Sequence, residues 1–281
     1  MSHTLVSAWK AARERLEAAG VPQPVIDARL LVEAGAGVQR IDIITDPHRS
    51  LSDAQVAKID ALVARRETRE PVAHILGYKD FWSLRFAVSR AVLTPRPESE
   101  TVVEAALAAL PAERPARVLD LGVGSGALLC AILSERPLAK GIGVDLSDEA
   151  LAIATHNLAT HNLSGRAEIR SGAWGESLDG PFDLIVSNPP YIETAAIDLL
   201  EPEVSRFEPR LALDGGDDGL DAYRALLPDI LRLLSPNGFF VLELGYDQGP
   251  AVSALVRTSG LTPLAIRPDI LGIGRALTGR R

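Results

Sequence analysis

From Ala116 onward, short apolar runs alternate with helix-like stretches, and this alternation leaves few folds open to the chain. Val118-Leu119-Asp120-Leu121 reads as a strand, followed by a glycine loop and a helix over Ala127–Glu135. Gly141–Asp145 reads as a second strand, Asp148–Asn162 as a helix, and Ala167–Arg170 as a third strand. Phe182–Ser187, nearly all apolar, is a fourth. Asp217–Leu234 reads as a helix, Phe239–Leu244 as a fifth strand, and Pro263–Arg267 and Arg275–Thr278 as further strand candidates. Strands this apolar are buried on both faces, and strands separated by helices pair in parallel. Right-handed crossovers then give a doubly wound, Rossmann-like α/β sheet.

The N-terminal part has a different texture. Leu5, Ala8, Trp9, Ala12 and Leu16 recur at helical spacing until Gly20 and Pro22 stop the pattern. A second helix spans about Val25 to Ala34, with Ile26, Leu30 and Leu31 on one side. Ser52 or Asp53 caps a third through Val56, Ile59, Leu62 and Val63, which ends before Pro71. Trp82, Leu84, Phe86 and Val88 then alternate with Ser83, Arg85 and Ala87 at the two-residue period of a strand. Glu98 to Leu110 reads as a helix. The expected division is a small helical domain over 1–73, a hairpin connector over 74–95, and the α/β domain over 96–281.

Composition narrows the function classes. Apolar residues make up 47% of the 281, and only 5% are aromatic, so the core is built from Leu, Val, Ile and Ala. A net charge of −8 argues against a nucleic-acid wrapper, whose affinity comes from clustered Lys and Arg. The single cysteine, Cys130, lies in an apolar run and is expected to be a small buried hydrophobe in a reducing, cytoplasmic setting. No charged start followed by an apolar run marks a signal peptide, and no run of about 20 apolar residues marks a membrane span. No His/Cys cluster has metal-ligand spacing, so no metal is expected.

Two motifs carry chemistry. In Asp120-Leu121-Gly122-Val123-Gly124-Ser125-Gly126, glycines after a strand let the backbone turn tightly and admit a ligand to the main chain at a helix N-terminus. Asp145 ends the next strand, about 20 residues on, where a carboxylate accepts hydrogen bonds from ribose hydroxyls. Together they point to a nucleoside cofactor. Dinucleotide sites use G-x-G-x-x-G, whereas here the spacing is G-x-G-x-G with Ala127 next, which favours S-adenosylmethionine, a ligand without a pyrophosphate. Asp120 is placed to reach that ligand's ammonium or a loop amide.

The second motif is Asn188-Pro189-Pro190-Tyr191, directly after the strand Phe182–Ser187. The prolines remove two N–H donors and stiffen the backbone, leaving carbonyls to accept. Asn188 is pushed to an extended conformation by Pro189 and adds a side-chain oxygen. Tyr191 contributes a flat apolar face. Such a loop suits a planar NH2 group, with Asn188 taking one hydrogen and the Pro189 carbonyl the other. An amide nitrogen is a poor nucleophile, and acceptors hold it in line and stabilise the positive charge that develops on it.

With both motifs read, the chain resembles the HemK/PrmC family of protein-(glutamine) methyltransferases over nearly its whole length. Leu93-Thr94-Pro95-Arg96-Pro97-Glu98-Ser99-Glu100 is similar to the family's P-R-P-E-T-E segment, with Ser99 in place of Thr. Phe182–Ile192 matches its F-D-L-I-V-S-N-P-P-Y-I without change. Glu70–Gly77 with Phe81-Trp82, Phe207–Gly216, Glu243-Leu244-Gly245 and Gln248-Gly249 are further shared segments. The resemblance implies a class I S-adenosylmethionine-dependent fold, with the helical domain recognising the substrate. It also implies release of S-adenosylhomocysteine and a release-factor partner methylated on the glutamine of its Gly-Gly-Gln motif. By resemblance Gly122, Val123, Gly124, Ser125 and Gly126 form the cofactor loop, Asp145 holds the ribose, and Trp174 lies near the adenine. Asn188 contacts cofactor and substrate, and Asn188, Pro189, Pro190 and Tyr191 bind the glutamine amide and carry catalysis. Two positions depart: Ala173 stands where the family often has an acid, and Val123 where it commonly has Thr.

Other readings remain open at this level. They are a ribosomal-protein glutamine methyltransferase, a DNA adenine-amino methyltransferase, an NAD oxidoreductase, and a silent nucleoside-binding module. The DNA enzyme would need base flipping and a basic groove, which the acidic balance argues against. The glycine spacing and Asn188-Pro189-Pro190 both speak against the oxidoreductase. No membrane and no direct nucleic-acid partner is expected. Arg65 and Arg66 are expected to be solvated helix-end charges, Glu208 and Arg210 to support the site, and Arg96 and Glu98 either to order its mouth or to pair with each other.

Overall fold

The computed structural model describes residues 3–281. The chain forms two compact units. One runs to Tyr78 and includes Glu201–Phe207; the other comprises Lys79–Leu200 and Glu208–Arg281. The first unit is helical: α1 (Leu5–Ala18), α2 (Pro24–Ala36), α3 (Arg40–Thr45), α4 (Asp53–Glu67) and α5 (Val72–Leu76). Thr4 and Ser52 cap α1 and α4 through reciprocal bonds with Ser7 and Gln55. Pro24 opens α2, and Gly37, in the left-handed conformation, closes it. Leu5, Leu16, Leu31, Val32, Ile59 and Val63 form the core. A Cβ on Gly35 would run into Ile59, so α2 and α4 meet at a contact only glycine permits. The short α3 and α5 are absent from the sequence reading, being too brief for periodicity to register. Ile26, expected on the inner side of α2, is instead 47% exposed, because the buried stripe runs through Ala28, Leu31, Val32 and Gly35.

The chain then forms a hairpin of β1 (Tyr78–Phe81) and β2 (Leu84–Ala87). The expected strand from Trp82 to Val88 is corrected here. Trp82 and Ser83 are the turn, both at positive φ (49° and 59°), which is what a two-residue hairpin demands of its central pair. There follow α6 (Glu100–Ala109), β3 (Ala116–Leu121), α7 (Ala127–Glu135), β4 (Ala139–Asp145), α8 (Asp148–Thr160), β5 (Ala167–Ser171) and β6 (Phe182–Ser187). After the short α9 (Pro202–Ser205) come α10 (Asp221–Leu233), β7 (Leu234–Glu243), α11 (Gly249–Thr258), β8 (Thr262–Pro268) and β9 (Gly274–Arg280). The seven strands are ordered β5-β4-β3-β6-β7-β9-β8. The first five pair in parallel, but β9 is antiparallel to both neighbours, so the expected wholly parallel sheet is mixed at one end. The reason is that β9 follows β8 after a loop too short for a crossover.

The doubly wound α/β fold expected from the sequence is therefore present. From β3 the chain winds outward through β4 and β5, then returns to β6 on the other side of β3. Crossovers in opposite directions place α7 and α8 on one face and α10 and α11 on the other. Tyr223, Leu226, Ile230, Val252 and Val256 pack over Leu119, Leu121, Ile185, Phe240 and Leu242. The reversal opens a crevice at the carboxyl ends of β3 and β6. Cys130 is fully buried in α7, as expected. Among the described residues, no helix is long and apolar enough to cross a membrane.

One polar network lies inside the helical unit. Arg66, expected to be solvated, is buried, with its side chain 5% exposed. It donates to Asp27 at 2.8 Å, to Glu203 at 2.7 Å and to the Glu70 carbonyl at 3.2 Å. Arg69 joins it on Glu203 and also reaches Glu201. Burial opposes ionisation of Glu203, but the Arg69 and Arg66 guanidiniums outweigh it and hold its carboxyl below the usual range. The network fastens the segment Glu201–Phe207 to α2 and α4. Removing one member of a buried charge cluster leaves the others uncompensated. Arg66→Ala should therefore destabilise this unit by about 3–5 kcal/mol, read as a fall in the urea midpoint. An unchanged midpoint would show that the network contributes nothing.

Candidate active site

At the end of β3 the chain turns through three left-handed glycines, Gly122 (φ 75°), Gly124 (φ 51°) and Gly126 (φ 80°), into α7. Side chains other than glycine's are strained there, which is why the G-x-G-x-G spacing exists. The Gly122 and Val123 amides donate to the Val144 carbonyl at 2.9 and 2.8 Å. Val123 is buried against β4, where a Cβ on Gly143 would stand 2.6 Å from its Cγ2, so its side chain forms the loop's floor. The Gly124 amide donates to Asp145 Oδ2 at 2.9 Å, and Ser147 N to Asp145 Oδ1 at 3.0 Å. Each oxygen is thus held in place with lone pairs to spare.

A cavity of about 270 Å³ opens over this loop, within the α/β unit. Its wall includes Asp120, Gly122, Val123, Gly124, Ser125, Asp145, Trp174, Asn188 and Pro190, with Arg96 and Leu211 toward one side. The structure therefore brings most of the sequence-selected residues together. Gly126 is not on the wall and instead caps α7. Ala173 is not on the wall, whereas Trp174 is, held at φ 51° with its ring beside Gly122. Pro189 is buried and Tyr191 half-buried, both outside the wall.

Three atoms of wall residues are polar, buried and unsatisfied. Neither oxygen of Asp120 makes a well-formed hydrogen bond, and the residue is 1% exposed. Burial, with the nearby Asp145 adding to it, pushes its carboxyl up to about 8. The other atom is Asn188 Oδ1. The remainder of that side chain is held, since Nδ2 donates to Ser99 Oγ over 3.4 Å. A buried, unpartnered carboxyl suits a cation, whose arrival displaces its proton, and the fixed Asp145 suits hydroxyl donors. These residues fit the amino group and ribose of S-adenosylmethionine.

Several supports went unread in the sequence. Asn157 of α8 donates to the carbonyls of Ser125 (2.8 Å) and Ala87 (3.0 Å) and accepts from Ala87 N, tying the glycine loop to β2. Gln248 donates to the carbonyls of Tyr191 and Gly219 and accepts from Gly245 N. Ile192 pairs with Leu213 and Gly215, so the segment Leu213–Gly216 braces the Asn188–Tyr191 loop. Glu208 accepts from Thr94 N and from Arg96, so Arg96 pairs with Glu208 rather than with Glu98. Tyr191 donates its hydroxyl to Glu243 at 3.3 Å. Burial raises Glu243 to about 7, with the Ser99 and Tyr191 hydroxyls and Arg275 holding it down. The sequence signals were the shared segments Phe207–Gly216, Glu243-Leu244-Gly245 and Gln248-Gly249, without the partners each would take.

The Asp120 environment makes a signed prediction. Because the folded state binds this proton more tightly than the unfolded chain, it contributes stability at low pH that is lost as pH rises from about 4 to about 8. Asp120→Asn removes the term. Its stability relative to wild type, from urea unfolding at several pH values, should rise across that window; a pH-independent difference would refute the assignment.

Comparisons with known proteins follow the two units. Residues 7–77 match the PrmC N-terminal domain, and residues 101–203 match the Methyltransferase small domain. The chain is 53% identical over 280 residues to the release factor glutamine methyltransferase of Caulobacter vibrioides, covering 99% of this chain and 97% of that protein. It is 45% identical to the protein of that name from Rhodospirillum rubrum, covering 95% and 82%. Among solved structures, a methyltransferase from Pyrococcus furiosus shares the fold at 17% identity and TM-score 0.54, over 79% of this chain and 96% of that one. The hMettl16 catalytic domain does so at 14% and 0.59, over 84% and 86%. On its full-length likeness to these relatives, the chain belongs to the release factor glutamine methyltransferase family.

Proposed function

We propose that the chain methylates the side-chain amide nitrogen of the glutamine in the Gly-Gly-Gln motif of a peptide chain release factor. The observation that carries this reading is the buried, unpartnered Asn188 Oδ1 on the wall that also holds Asp120, Asp145 and the glycine loop. The cofactor is held by Gly122, Val123, Gly124 and Ser125, with Gly126 turning the loop into α7, Asp145 on the ribose, Asp120 on the amino group and Trp174 beside the adenine. When bound, S-adenosylmethionine supplies an activated methyl group on its sulfonium. The names of the relatives support the substrate, and the cytoplasm is where translation terminates. A separate helical unit suits recognition of a protein rather than of free glutamine.

The residues of this chain do three things in the reaction. Asn188 accepts one hydrogen of the glutamine NH2 through Oδ1, and the Pro189 carbonyl accepts the other. Pro189 and Pro190 present no N–H to compete for the substrate carbonyl or crowd the nitrogen. The acceptors stabilise the positive charge that grows on nitrogen as its amide resonance is lost and the methyl group leaves sulfur, and nitrogen then gives up one of its protons to solvent. Tyr191 buttresses the loop from behind, through Glu243.

Labelled S-adenosylmethionine and a purified release factor test this directly, beside a release factor whose Gly-Gly-Gln glutamine is replaced. Label on the first and none on the second is the expected result. Label only on a ribosomal protein or on DNA would contradict the substrate, and no transfer at all would contradict the activity. Asn188→Ala should lower transfer by about 10²–10³ with cofactor affinity little changed. Asp145→Ala should weaken cofactor binding first, measured by calorimetry; unchanged affinity would contradict its role on the ribose.

A further inference from the structure

Asn188 serves as an acceptor toward the cavity only if its oxygen, rather than its NH2, faces that way. The two ends of a primary amide have nearly the same shape, so packing alone does not choose between them. The groups behind it do. Asn188 Nδ2 reaches Ser99 Oγ over 3.4 Å. Ser99 is 4% exposed, just before α6. Behind it stands Glu243, 2% exposed at the end of β7, which accepts the Tyr191 hydroxyl at 3.3 Å, keeps its other oxygen without a partner, and has its pKa held down by the nearby Ser99 hydroxyl. In its ionised form Glu243 only accepts, and a serine hydroxyl carries one proton. Once that proton is committed to Glu243, Ser99 offers Asn188 nothing but lone pairs. The NH2 of Asn188 must then turn to Ser99, and its oxygen to the cavity.

We infer that Ser99 and Glu243 are positioning residues: the Glu243 carboxylate orients the Ser99 hydroxyl, which orients the Asn188 amide so that its oxygen meets the substrate NH2. The inference rests on the methyltransferase reading above. Tyr191 belongs to the same relay through its bond to Glu243, which explains why a residue outside the cavity wall belongs to the motif. Contacts of this kind are often long without ligand and tighten when it binds, as the 3.4 Å distance allows.

Ser99→Ala removes the acceptor that holds the amide, and Ser99→Thr keeps it. Glu243→Gln is nearly isosteric but offers Ser99 a donor, so the serine proton can swing to Asn188 and let the amide turn over. Steady-state kinetics with a release factor should show kcat lower by about tenfold to a hundredfold in Ser99→Ala and Glu243→Gln. KM for S-adenosylmethionine should stay unchanged, and Ser99→Thr should work near the wild-type rate. Nitrogen-15 NMR reads the amide without turnover, its signal assigned by its loss in Asn188→Ala. The Asn188 NH2 should exchange slowly with water in wild type and Ser99→Thr, and fast in the other two. Unchanged exchange, or unchanged kcat, in a folded Ser99→Ala or Glu243→Gln variant overturns the relay. If the wild-type protein methylates no release factor, the proposed function fails on its own, and the exchange measurement still decides the relay.

Discussion

A primary amide brings two N–H donors and a nitrogen lone pair tied up in resonance. A site that takes one must therefore offer acceptors, keep competing donors away, and hold the nitrogen where its lone pair can be drawn out. Much of the α/β unit is arranged around that demand. Strand β6 ends at Ser187, Asn188 follows it directly, and the next two residues have no N–H to give. The Asn188 oxygen on that loop is buried and without a partner. Keeping it unpartnered requires a second layer, because an unsatisfied buried acceptor costs about 1–3 kcal/mol and would otherwise turn away. Ser99, Glu243, Tyr191 and Gln248 form that layer.

The cofactor side follows the same logic with the opposite sign. Asp120 is a buried carboxyl without a partner, whose proton a cationic ligand would displace, and Asp145 is a tethered carboxylate with lone pairs in reserve. Both sit at the carboxyl ends of neighbouring strands, β3 and β4, beside the point between β3 and β6 where the winding of the sheet reverses. Glycines in β4 bring the loop down onto the sheet: Gly143 receives Val123, and Gly141 receives Leu129 from α7. The Val123 that departs from the family's usual Thr is thus accommodated as packing, with its amide still bonded to β4.

Local chain chemistry was legible in the sequence. The apolar strands, the left-handed glycines, the acid after β4 and the Asn-Pro-Pro-Tyr loop are read within a few residues of each other, and their positions on one wall follow from sheet topology. Pairings between distant residues were not legible. Asn157 with Ser125, Gln248 with Tyr191, and Ser99 with Asn188 join residues 32, 57 and 89 positions apart, and no local pattern announces them. Trp82 and Ser83 were misread because alternation continues through a tight turn that happens to contain no glycine. Arg66 looked like a solvated helix end because its partner Glu203 lies 137 residues away. The helix α11 went unread, and β9 was given a parallel place that its short connection to β8 forbids.

The central claim is that Asn188 presents its oxygen to the substrate nitrogen. The most direct measurement is a crystal structure with S-adenosylhomocysteine and a peptide carrying Gly-Gly-Gln. The account predicts the glutamine NH2 within hydrogen-bond distance of Asn188 Oδ1 and the Pro189 carbonyl, with Asn188 Nδ2 still on Ser99. A glutamine that turns its carbonyl to Asn188, or that lies outside the cavity above the glycine loop, would contradict it.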